Sequence, residues 1–300
     1  MKHLLKMSDL SKDEIIEILD LADQLKKEQK NGMKHQILKG KTLGMIFQKS
    51  STRTRVSFEV GMVQLGGYPL FLSSSDLQIG RGEPVQDTAR VLSRFLDGIM
   101  IRTFAQKEVE DLAQYGSIPI INGLTDFSHP CQVLADLQTI REYKKDFKGL
   151  KMAYIGDGNN MANSLITGCL KVGMDVSCAV PKGYEPDESV LAFAKSFKGF
   201  HMGQDVMAAA KDADVLMTDV WASMGQESEA EARKKAFFGM QINRDVMAAA
   251  KPDAMVQHCL PAHREEEITN EVFEAHANEI FDEAENRLHA QKAVMALLMG

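Results

Sequence analysis

Short apolar runs alternate with amphipathic stretches along almost the entire chain. The apolar runs have the length and residue types of buried β-strands, and they are TLGMIF, YPLFL, GIMIR, IPIING, KMAYIG, DVSCAV, ADVLMTDV and AMVQHCL. Stretches with helical spacing lie between them, among them VEDLAQYG, PCQVLADLQTIREYKK and MANSLITGCLKVG. This alternation is typical of parallel sheets built from βαβ units. The pattern therefore predicts the α/β class.

Both ends of the chain carry a long amphipathic helix. The first, SKDEIIEILDLADQLKKEQ, starts with Ser11 and Glu14 at capping-box spacing and ends near Asn31-Gly32. The last, FDEAENRLHAQKAVMALLM, is long enough to cross back to the first half of the molecule. A new strand begins after Gly149, near the middle of the chain. We therefore expect two α/β halves with a boundary near that glycine.

The composition is that of an ordinary globular protein. The 300 residues are 44% hydrophobic and 26% charged, with a formal net charge of −7 and a pI near 5.7. No basic face dominates, which argues against nucleic-acid binding. The first apolar stretch is too short for a signal peptide, and no run approaches the roughly 18 apolar residues of a membrane span. Because the four cysteines form no CxxC pair, we expect free thiols and a cytoplasmic protein.

The segment SSTRTR lies between the strand TLGMIF and a helical stretch in which Val56, Val60 and Val63 recur at helical spacing. Hydroxyls at such a turn cap the helix, whose free amides and dipole favour an anion. Arg53 adds paired donors that match phosphate geometry. An ordinary cap with solvated arginines is the alternative. We favour a phosphate site because other strand ends carry matching groups.

Two of those groups are an arginine and a histidine. Arg102 ends the strand GIMIR, and His129 precedes Pro130 at the start of a helix that carries Gln132. The helix dipole opposes a charge on this histidine, and a neutral ring still donates to a carbonyl oxygen. A capping histidine without a ligand is the alternative. Together with the arginine turn, the pattern favours a ligand site.

The segment YIGDGNNMANSL resembles part of a dinucleotide-binding fingerprint. Gly156 and Gly158 match its first two glycines, but a methionine stands where the third should be. The next strand, DVSCAV, is not followed by an acid that would bind a ribose. A nicotinamide cofactor is therefore not expected. Asn159 or Asn160 could contact a zwitterionic ligand, and helix capping is the alternative for either residue.

The heptapeptide DVMAAAK occurs twice, each time just before a strand. Two copies are too few for a repeat architecture, but aligning them places Asp219 and the pair His258-Cys259 at comparable strand ends. An acid at Asp219 could bind an amino group, with Ser223 and Met224 covering an aliphatic chain. Cys259 lacks the second ligand pair of a zinc site. A buried structural cysteine is its ordinary interpretation.

Taken together, the motifs resemble those of the aspartate/ornithine carbamoyltransferase family. The similarity runs in order through FQKSSTRTRVSFE, QIGRGEP, DTARVLSR, HPCQVLADL, GDGNNMANS, DVWASMG, HCLPAHR and AENRLHAQKAVM. It implies two doubly wound parallel-sheet α/β domains, with the C-terminal helix returning to the first. Residues 1–137 and 275–300 would bind carbamoyl phosphate, and residues 138–274 would bind ornithine. The resemblance also implies a homo-oligomer, at least a trimer, with active sites near subunit interfaces.

The same resemblance implies a reaction and its residues. The carbamoyl group of carbamoyl phosphate passes to the δ-amine of L-ornithine, giving L-citrulline and phosphate in arginine biosynthesis, without metal or organic cofactor. The residues implied for carbamoyl phosphate are Ser51, Thr52, Arg53, Thr54, Gln78, Arg102, His129, Gln132, Cys259, Leu260 and Arg287. Those implied for ornithine are Asn160, Asp219, Ser223 and Met224. Arg102, His129 and Cys259 are implied as catalytic, with Cys259 either a base or only a contact.

Other acceptors and other classes of protein predict different residues. An enzyme that uses aspartate would carry basic groups at Asp219 and in the loop Ser223-Met224-Gly225, which we call the SMG loop. Putrescine has no carboxylate or α-amine for that loop to bind. An amino-acid-binding protein with two α/β lobes would normally be exported, and a dehydrogenase would need the missing fingerprint. We therefore expect an enzyme whose partners are two small substrates, without nucleic acid or membrane.

Overall fold

Two compact units make up the chain in the computed structural model, which describes residues 1–223 and 227–300. The first unit comprises Met1–Gln138 and Asn286–Gly300, and the second comprises Thr139–Glu285. Each contains a parallel sheet with helices between its strands. The predicted α/β class is confirmed, as are the two parallel-sheet domains. The C-terminal residues 286–300 belong to the first unit, so the last helix returns to the first domain as expected.

Within the described ranges, the sheet of the first unit has four strands and that of the second has five, all parallel. The strands of the first unit are β1 (Thr42–Phe47), β2 (Tyr68–Ser73), β3 (Gly98–Arg102) and β4 (Ile120–Leu124). Those of the second are β5 (Lys151–Ile155), β6 (Asp175–Ala179), β7 (Phe200–Gly203), β8 (Val215–Thr218) and β9 (Met255–His258). The apolar runs predicted every strand except β7. This strand lies at a sheet edge and is mostly exposed, so its sequence shows no apolar run.

The helices fill the intervals between strands. The first in the chain are α1 (Lys12–Lys30), α2 (Thr52–Gln64), α3 (Val85–Leu92), α4 (Gln106–Tyr115) and α5 (Pro130–Lys144). They are followed by α6 (Asn160–Val172), α7 (Glu188–Ala194), α8 (Val206–Ala210), α9 (Ala230–Ala236), α10 (Arg244–Ala249), α11 (Asn270–Ala275) and α12 (Ala277–Met299). The capping box predicted for α1 is present, with reciprocal bonds between Ser11 and Glu14. In the described part of the chain, no helix is both long and apolar enough to cross a membrane.

Each sheet reverses its strand order at one point. The orders are β2-β1-β3-β4 in the first unit and β7-β6-β5-β8-β9 in the second. The reversal therefore lies between β1 and β3 in the first unit, and between β5 and β8 in the second. In open parallel sheets, the crossovers on either side of such a point diverge and leave a crevice beyond the carboxyl ends of the strands. A ligand site is expected there in each unit.

The end of α12 completes the core of the first unit. Lys26 Nζ on α1 donates to Asn286 Oδ1 at 2.7 Å, and both residues are buried. Gly61 on α2 also faces α12, because a Cβ at this glycine would lie 2.8 Å from Met295 Cε. The two helices approach closely there, so a larger residue would require the Met295 side chain to shift.

The outer side of α2 carries the valines whose spacing predicted the helix. Val56, Val60 and Val63 are 50%, 38% and 63% exposed, whereas Phe58 and Met62 on the same helix are buried. The valine spacing thus predicted the helix correctly but marks its exposed side. A contiguous exposed apolar stripe on a soluble domain is typical of an interaction surface. We call Val56, Val60 and Val63 the valine stripe.

The turn after β5 shows why a glycine stands in the GDG segment. A Cβ on Gly158 would lie 2.3 Å from backbone atoms of Tyr184, Glu185 and Pro186. In a dinucleotide-binding fingerprint, the second glycine instead lets the backbone approach a pyrophosphate. Here the neighbouring chain occupies that space. The glycine is therefore explained by packing within the second unit.

We expect Gly158→Ala to lower the free energy of unfolding by about 2 kcal/mol or more, because a clash with backbone is not relieved by rotating a side chain. Gly203→Ala is the matched control, since nothing lies within 4 Å of a Cβ at that position. Its effect should stay within about 0.5 kcal/mol. Urea unfolding followed by circular dichroism measures both variants. Equal stabilities would contradict this packing explanation.

Candidate active site

The turn after β1 begins α2 where the SSTRTR motif predicted. Ser51 is the extended cap residue, and its Oγ accepts a hydrogen bond from the backbone N of Thr54 at 3.2 Å. A capped helix start concentrates backbone N–H groups and the positive end of the helix dipole. Thr52 is exposed and Arg53 half-buried in this first turn. The turn is suited to an anion.

Two buried arginines converge on the hydroxyl of Thr54. Arg102 Nη1 lies 3.4 Å from Thr54 Oγ1, and Arg287 Nη2 lies 3.2 Å from the same atom. The exposed fractions of Arg102, Arg287 and Thr54 are 8%, 4% and 1%. The register pairs Phe47 with Arg102, which brings the ends of β1 and β3 together. Two guanidinium groups on one hydroxyl direct several N–H donors to the same place, an arrangement suited to an anion.

A buried amide extends this group. Arg287 Nη1 donates to Gln132 Oε1 at 2.6 Å, and Gln132 Nε2 donates to Asp136 Oδ1 at 2.7 Å. These two bonds fix the amide of Gln132, which is 1% exposed. The structure therefore brings together residues from β3, α2, α5 and α12 that the sequence separates widely. We call Thr54, Arg102, Gln132 and Arg287 the arginine cluster.

His129 stands beside these charges and is itself buried. Burial lowers the pKa of His129 well below its ordinary value, and the charges of Arg287, Arg102 and Arg53 lower it further. The lowered pKa favours a neutral ring at pH 7. A neutral imidazole has one N–H donor and one acceptor nitrogen. His129 is thus able to donate to an oxygen without adding another positive charge.

Gln78 is placed differently from the other residues implied for carbamoyl phosphate. It is exposed and begins a short 3-10 turn, Gln78–Arg81, after β2. Across the described ranges, no side-chain hydrogen bond joins it to the arginine cluster. Its assignment rests on the family resemblance, which implies a position near a neighbouring subunit.

Asp219 follows β8, at the point where the strand order of the second unit reverses, and it accepts hydrogen bonds from two neighbouring side chains. Its Oδ2 accepts from Asn159 Nδ2 at 2.9 Å, and its Oδ1 accepts from the Cys259 thiol at 3.0 Å. The residue is 6% exposed. The register pairs Thr218 with His258, so the two residues that follow them lie side by side. This is the juxtaposition that the two DVMAAAK copies predicted.

Asn159 makes the contact with Asp219 that the sequence did not assign to it. Asn159 caps α6, because its Oδ1 accepts a hydrogen bond from the backbone N of Met161 at 2.9 Å. Its Nδ2 donates to Asp219. Asn160 is half-buried at the first position of α6. The Asn-Asn pair signalled a capping residue and a candidate ligand residue. It did not say which asparagine would also position the acid.

A buried pair shapes the turn after β9. Leu260 N donates to His258 Nδ1 at 2.9 Å, so His258 carries its proton on Nε2 and donates it to Glu267 Oε1 at 2.9 Å. Leu260 adopts a φ of +57°, a left-handed conformation that side-chain-bearing residues rarely adopt. The turn directs Cys259 toward Asp219. Sequence reasoning missed Glu267, because an acid beyond a loop carries no pattern that links it to His258.

Arg233 ties the ends of β5 and β8 together. Its Nη1 donates to Asp157 Oδ2 at 2.8 Å and to the Trp221 carbonyl at 3.0 Å. Burial raises the pKa of Asp157 to about 6, although the positive charge of Arg233 acts in the opposite direction. Sequence reasoning missed both residues. Ser223 follows Trp221 and is half-buried, whereas Met224 lies outside the described residues.

One side-chain cluster has metal-ligand spacing. His263, Glu266 and Glu267 each offer a ligand atom, and these atoms lie within 4.8 Å of one another. However, Glu267 accepts hydrogen bonds from His258 and from the backbone N of His263, and Glu266 pairs with Lys234 at 2.9 Å. Both carboxylates therefore have protein partners, although the bonds to Glu267 all go to Oε1, and its Oε2 is buried without a hydrogen-bond partner among the described residues. The cluster is explained as an ion-pair and hydrogen-bond network.

Two sequence families match the chain, one for each half. Residues 2–142 match the family described as "Aspartate/ornithine carbamoyltransferase, carbamoyl-P binding domain". Residues 148–298 match the family described as "Aspartate/ornithine carbamoyltransferase, Asp/Orn binding domain".

Individual proteins are similar over the full length. The ornithine carbamoyltransferase of Carboxydothermus hydrogenoformans is 56% identical, with 100% of this chain and 98% of that protein covered. The solved structure of ornithine carbamoyltransferase from Pyrococcus furiosus has a TM-score of 0.95 at 55% identity, covering 100% of this chain and 97% of that one. That of anabolic ornithine carbamoyltransferase from Campylobacter jejuni has a TM-score of 0.94 at 44% identity, covering 99% of each. This chain therefore belongs to the aspartate/ornithine carbamoyltransferase family.

Proposed function

We propose that this protein transfers the carbamoyl group of carbamoyl phosphate to the δ-amine of L-ornithine, giving L-citrulline and phosphate. The arginine cluster is the observation that carries the proposal, because two buried guanidinium groups meet there at the Thr54 hydroxyl, next to the first turn of α2. The first unit, which matches the carbamoyl-P binding family, is assigned to carbamoyl phosphate. The second unit, which matches the Asp/Orn binding family, is assigned to ornithine.

The phosphate end is assigned to the first turn of α2. Ser51, Thr52 and Thr54 supply hydroxyls, the start of the helix supplies backbone amides, and Arg53 supplies a guanidinium that pairs with phosphate oxygens. These groups also stabilise the phosphate as it leaves, because its negative charge grows when the bond to the carbonyl carbon breaks. Gln78 is assigned to the same end through its loop.

The carbamoyl end is assigned to Arg102, His129 and Gln132. Attack on the carbonyl carbon moves negative charge onto the carbonyl oxygen, and fixed donors placed at that oxygen lower the barrier. Arg102 donates as a cation, and His129 donates as a neutral imidazole. The bond from Arg287 holds Gln132 in place. Cys259 and Leu260, in the turn after β9, are assigned to the same substrate.

The amino-acid end is assigned to Asn160, Asp219, Ser223 and Met224. Asp219 is a buried carboxylate that already accepts from an amide and a thiol. Carboxylate oxygens retain lone pairs for further donors, so Asp219 is suited to the α-ammonium of ornithine. An acid at this position repels the side chain of aspartate, which disfavours aspartate as the acceptor. Putrescine offers no α-ammonium for Asp219 to bind.

The δ-amine must be neutral before it attacks. An alkylammonium ordinarily has a pKa of about 10.4, and desolvation and nearby cations lower it. The guanidinium charges of Arg53, Arg102 and Arg287 act in that direction. The neutral nitrogen then bonds to the carbonyl carbon, the C–O bond to phosphate breaks with its electron pair on phosphate, and the departing phosphate takes up the proton that the nitrogen loses. We assign Cys259 to the reacting groups with Arg102 and His129.

We also propose that the protein works as a homotrimer in the cytoplasm. The valine stripe supports self-association, because it exposes three apolar side chains on one side of α2. The first turn of α2 is also the part assigned to the phosphate, so a subunit packed against this helix would lie near the active site. The reaction as written runs toward citrulline, which is the direction of arginine biosynthesis.

The test of the proposed function is product formation from carbamoyl phosphate with L-ornithine, L-aspartate or putrescine offered separately. We expect citrulline with ornithine alone. Arg53→Ala should reduce kcat/KM about a thousandfold or more, because it removes a charge that stabilises the leaving phosphate. Arg244→Ala, an exposed arginine on α10, should stay within about twofold. Product from another amine would contradict the assignment of Asp219, and no product at all would overturn the reaction.

His129 should remain a neutral imidazole in the folded protein at pH 7 and at the ordinary histidine pKa of about 6.5, because burial and the surrounding arginines depress its pKa. Nitrogen-15 NMR of the imidazole measures this, and His129→Gln identifies the signal. In the unfolded chain the group takes up a proton near about pH 6.5. The free energy of unfolding should therefore fall as the pH drops below that value. A positively charged ring at neutral pH would contradict the role of His129 as a neutral donor to the oxyanion.

Val60→Asp should break the assembly, because a carboxylate in an apolar subunit contact is buried without a partner. Light scattering should give three times the chain mass of 33.3 kDa for the wild type and the chain mass itself for the variant. Met207→Asp, at another exposed apolar side chain on α8, is the control and should stay assembled. A monomeric wild type would overturn the proposed trimer.

A further inference from the structure

A cavity of about 270 Å³ opens in the first unit, at the end of α1. Its lining consists of Gln29, residues 32–36, Val63, Gln64 and Lys292. Val63 also belongs to the valine stripe, so the cavity borders the side of α2 that is proposed to contact another subunit. None of these residues belongs to the arginine cluster or to the groups around Asp219. The proposed reaction gives the cavity no role.

Lys292 is the nucleophilic group of this cavity. It lies on α12 and is 0% exposed, and its Nζ donates to Gln29 Oε1 at 2.9 Å. The titratable groups near it are Glu28 on α1 and, in the cavity wall, Lys34 and His35. The Glu28 carboxylate pairs with His35 at 2.8 Å. The nearest negative charge is therefore shared with another group.

This environment favours the neutral amine of Lys292. Burial lowers the pKa of Lys292 to about 8, with Glu28 acting in the opposite direction. At pH 7.5 about a quarter of such groups are neutral, compared with about 0.1% for a lysine with the ordinary pKa of about 10.4. A desolvated neutral lysine is the nucleophilic form used in covalent chemistry.

We propose that Lys292 is a covalent modification site that takes up a carbamoyl group from isocyanic acid. The lone pair of Nζ forms a bond to the carbon of HN=C=O. The π-electron pair of the C=N bond moves to the isocyanate nitrogen, which takes the proton that Nζ loses. The product is a urea on the lysine side chain. Nothing is oxidised or reduced, and no group leaves.

The cavity fits the product as well as the reagent. A urea adds N–H donors to the end of the side chain, and the cavity wall offers amide oxygens to accept them. Gln29 Oε1 already accepts from Lys292. The side-chain oxygen of Gln64 is buried and has no hydrogen-bond partner among the described residues. The urea also removes a charge from a desolvated position, which lowers the cost of burial.

Carbamoyl phosphate would be the source of the reagent, because it breaks down in water to isocyanic acid and phosphate. This part of the inference rests on the proposed function. A protein that binds carbamoyl phosphate is exposed to this electrophile wherever its substrate accumulates. The reactivity of Lys292 itself does not depend on that function.

The experiment treats the full-length protein with potassium cyanate at about pH 7.5 and measures carbamoylation of each lysine over time by peptide mass spectrometry. Lys34 is the internal control, because it lines the same cavity but is exposed. We expect Lys292 to react at least about tenfold faster than Lys34. The larger neutral fraction of Lys292 should outweigh the lower basicity of its amine and its smaller accessibility to cyanate. Its rate should level off above about pH 8. A Lys292 rate at or below that of Lys34 overturns the proposal.

A second arm replaces cyanate with carbamoyl phosphate in the absence of an acceptor amine. Modification of Lys292 in this arm supports the substrate as the source. Modification by cyanate alone keeps the site and overturns that source. Because the cyanate arm requires no turnover, its failure is distinguishable from a failure of the citrulline assay. Lys292→Arg should abolish the modified peptide and leave the labelling of Lys34 unchanged.

Discussion

Parallel strands all end at the same edge of their sheet, and the candidate groups of this protein depend on that constraint. The strand order reverses between β1 and β3 and again between β5 and β8, which leaves a crevice beyond those strand ends. Thr54 lies in the helix that follows β1, and Arg102 is the last residue of β3. Asn159 and Asp219 follow the second pair. Residues far apart in the sequence thereby become neighbours within each unit.

The two units carry charges of opposite sign at the points where their strand orders reverse. In the first, two buried arginines contact the Thr54 hydroxyl, and burial together with the neighbouring arginine charges lowers the pKa of His129. In the second, an amide and a thiol donate to the Asp219 carboxylate. An anion suits the first arrangement and an ammonium suits the second. This difference matches the two substrates of the proposed reaction.

Buried polar residues outside the predicted site hold the strand-end loops in shape. Glu267 orients His258, which in turn accepts from the backbone at Leu260. Arg233 joins Asp157 to the loop that follows β8. Such groups are costly to bury unless each is hydrogen-bonded. Their bonds run to backbone and side chains at the strand ends, so they determine where Cys259 and its neighbours point.

The sequence by itself determined the elements whose formation depends on local periodicity and capping. The strands with apolar runs, the capping box of α1 and the helix after SSTRTR were all predicted, because residues close in the chain decide them. Only the tertiary structure decided that the valine stripe faces outward, that Gly158 packs against another loop, and that Asn159 positions Asp219. Those outcomes depend on burial and hydrogen bonds between residues distant in the chain. No local pattern encodes such contacts, because their energy arises only when the sheets and helices have come together.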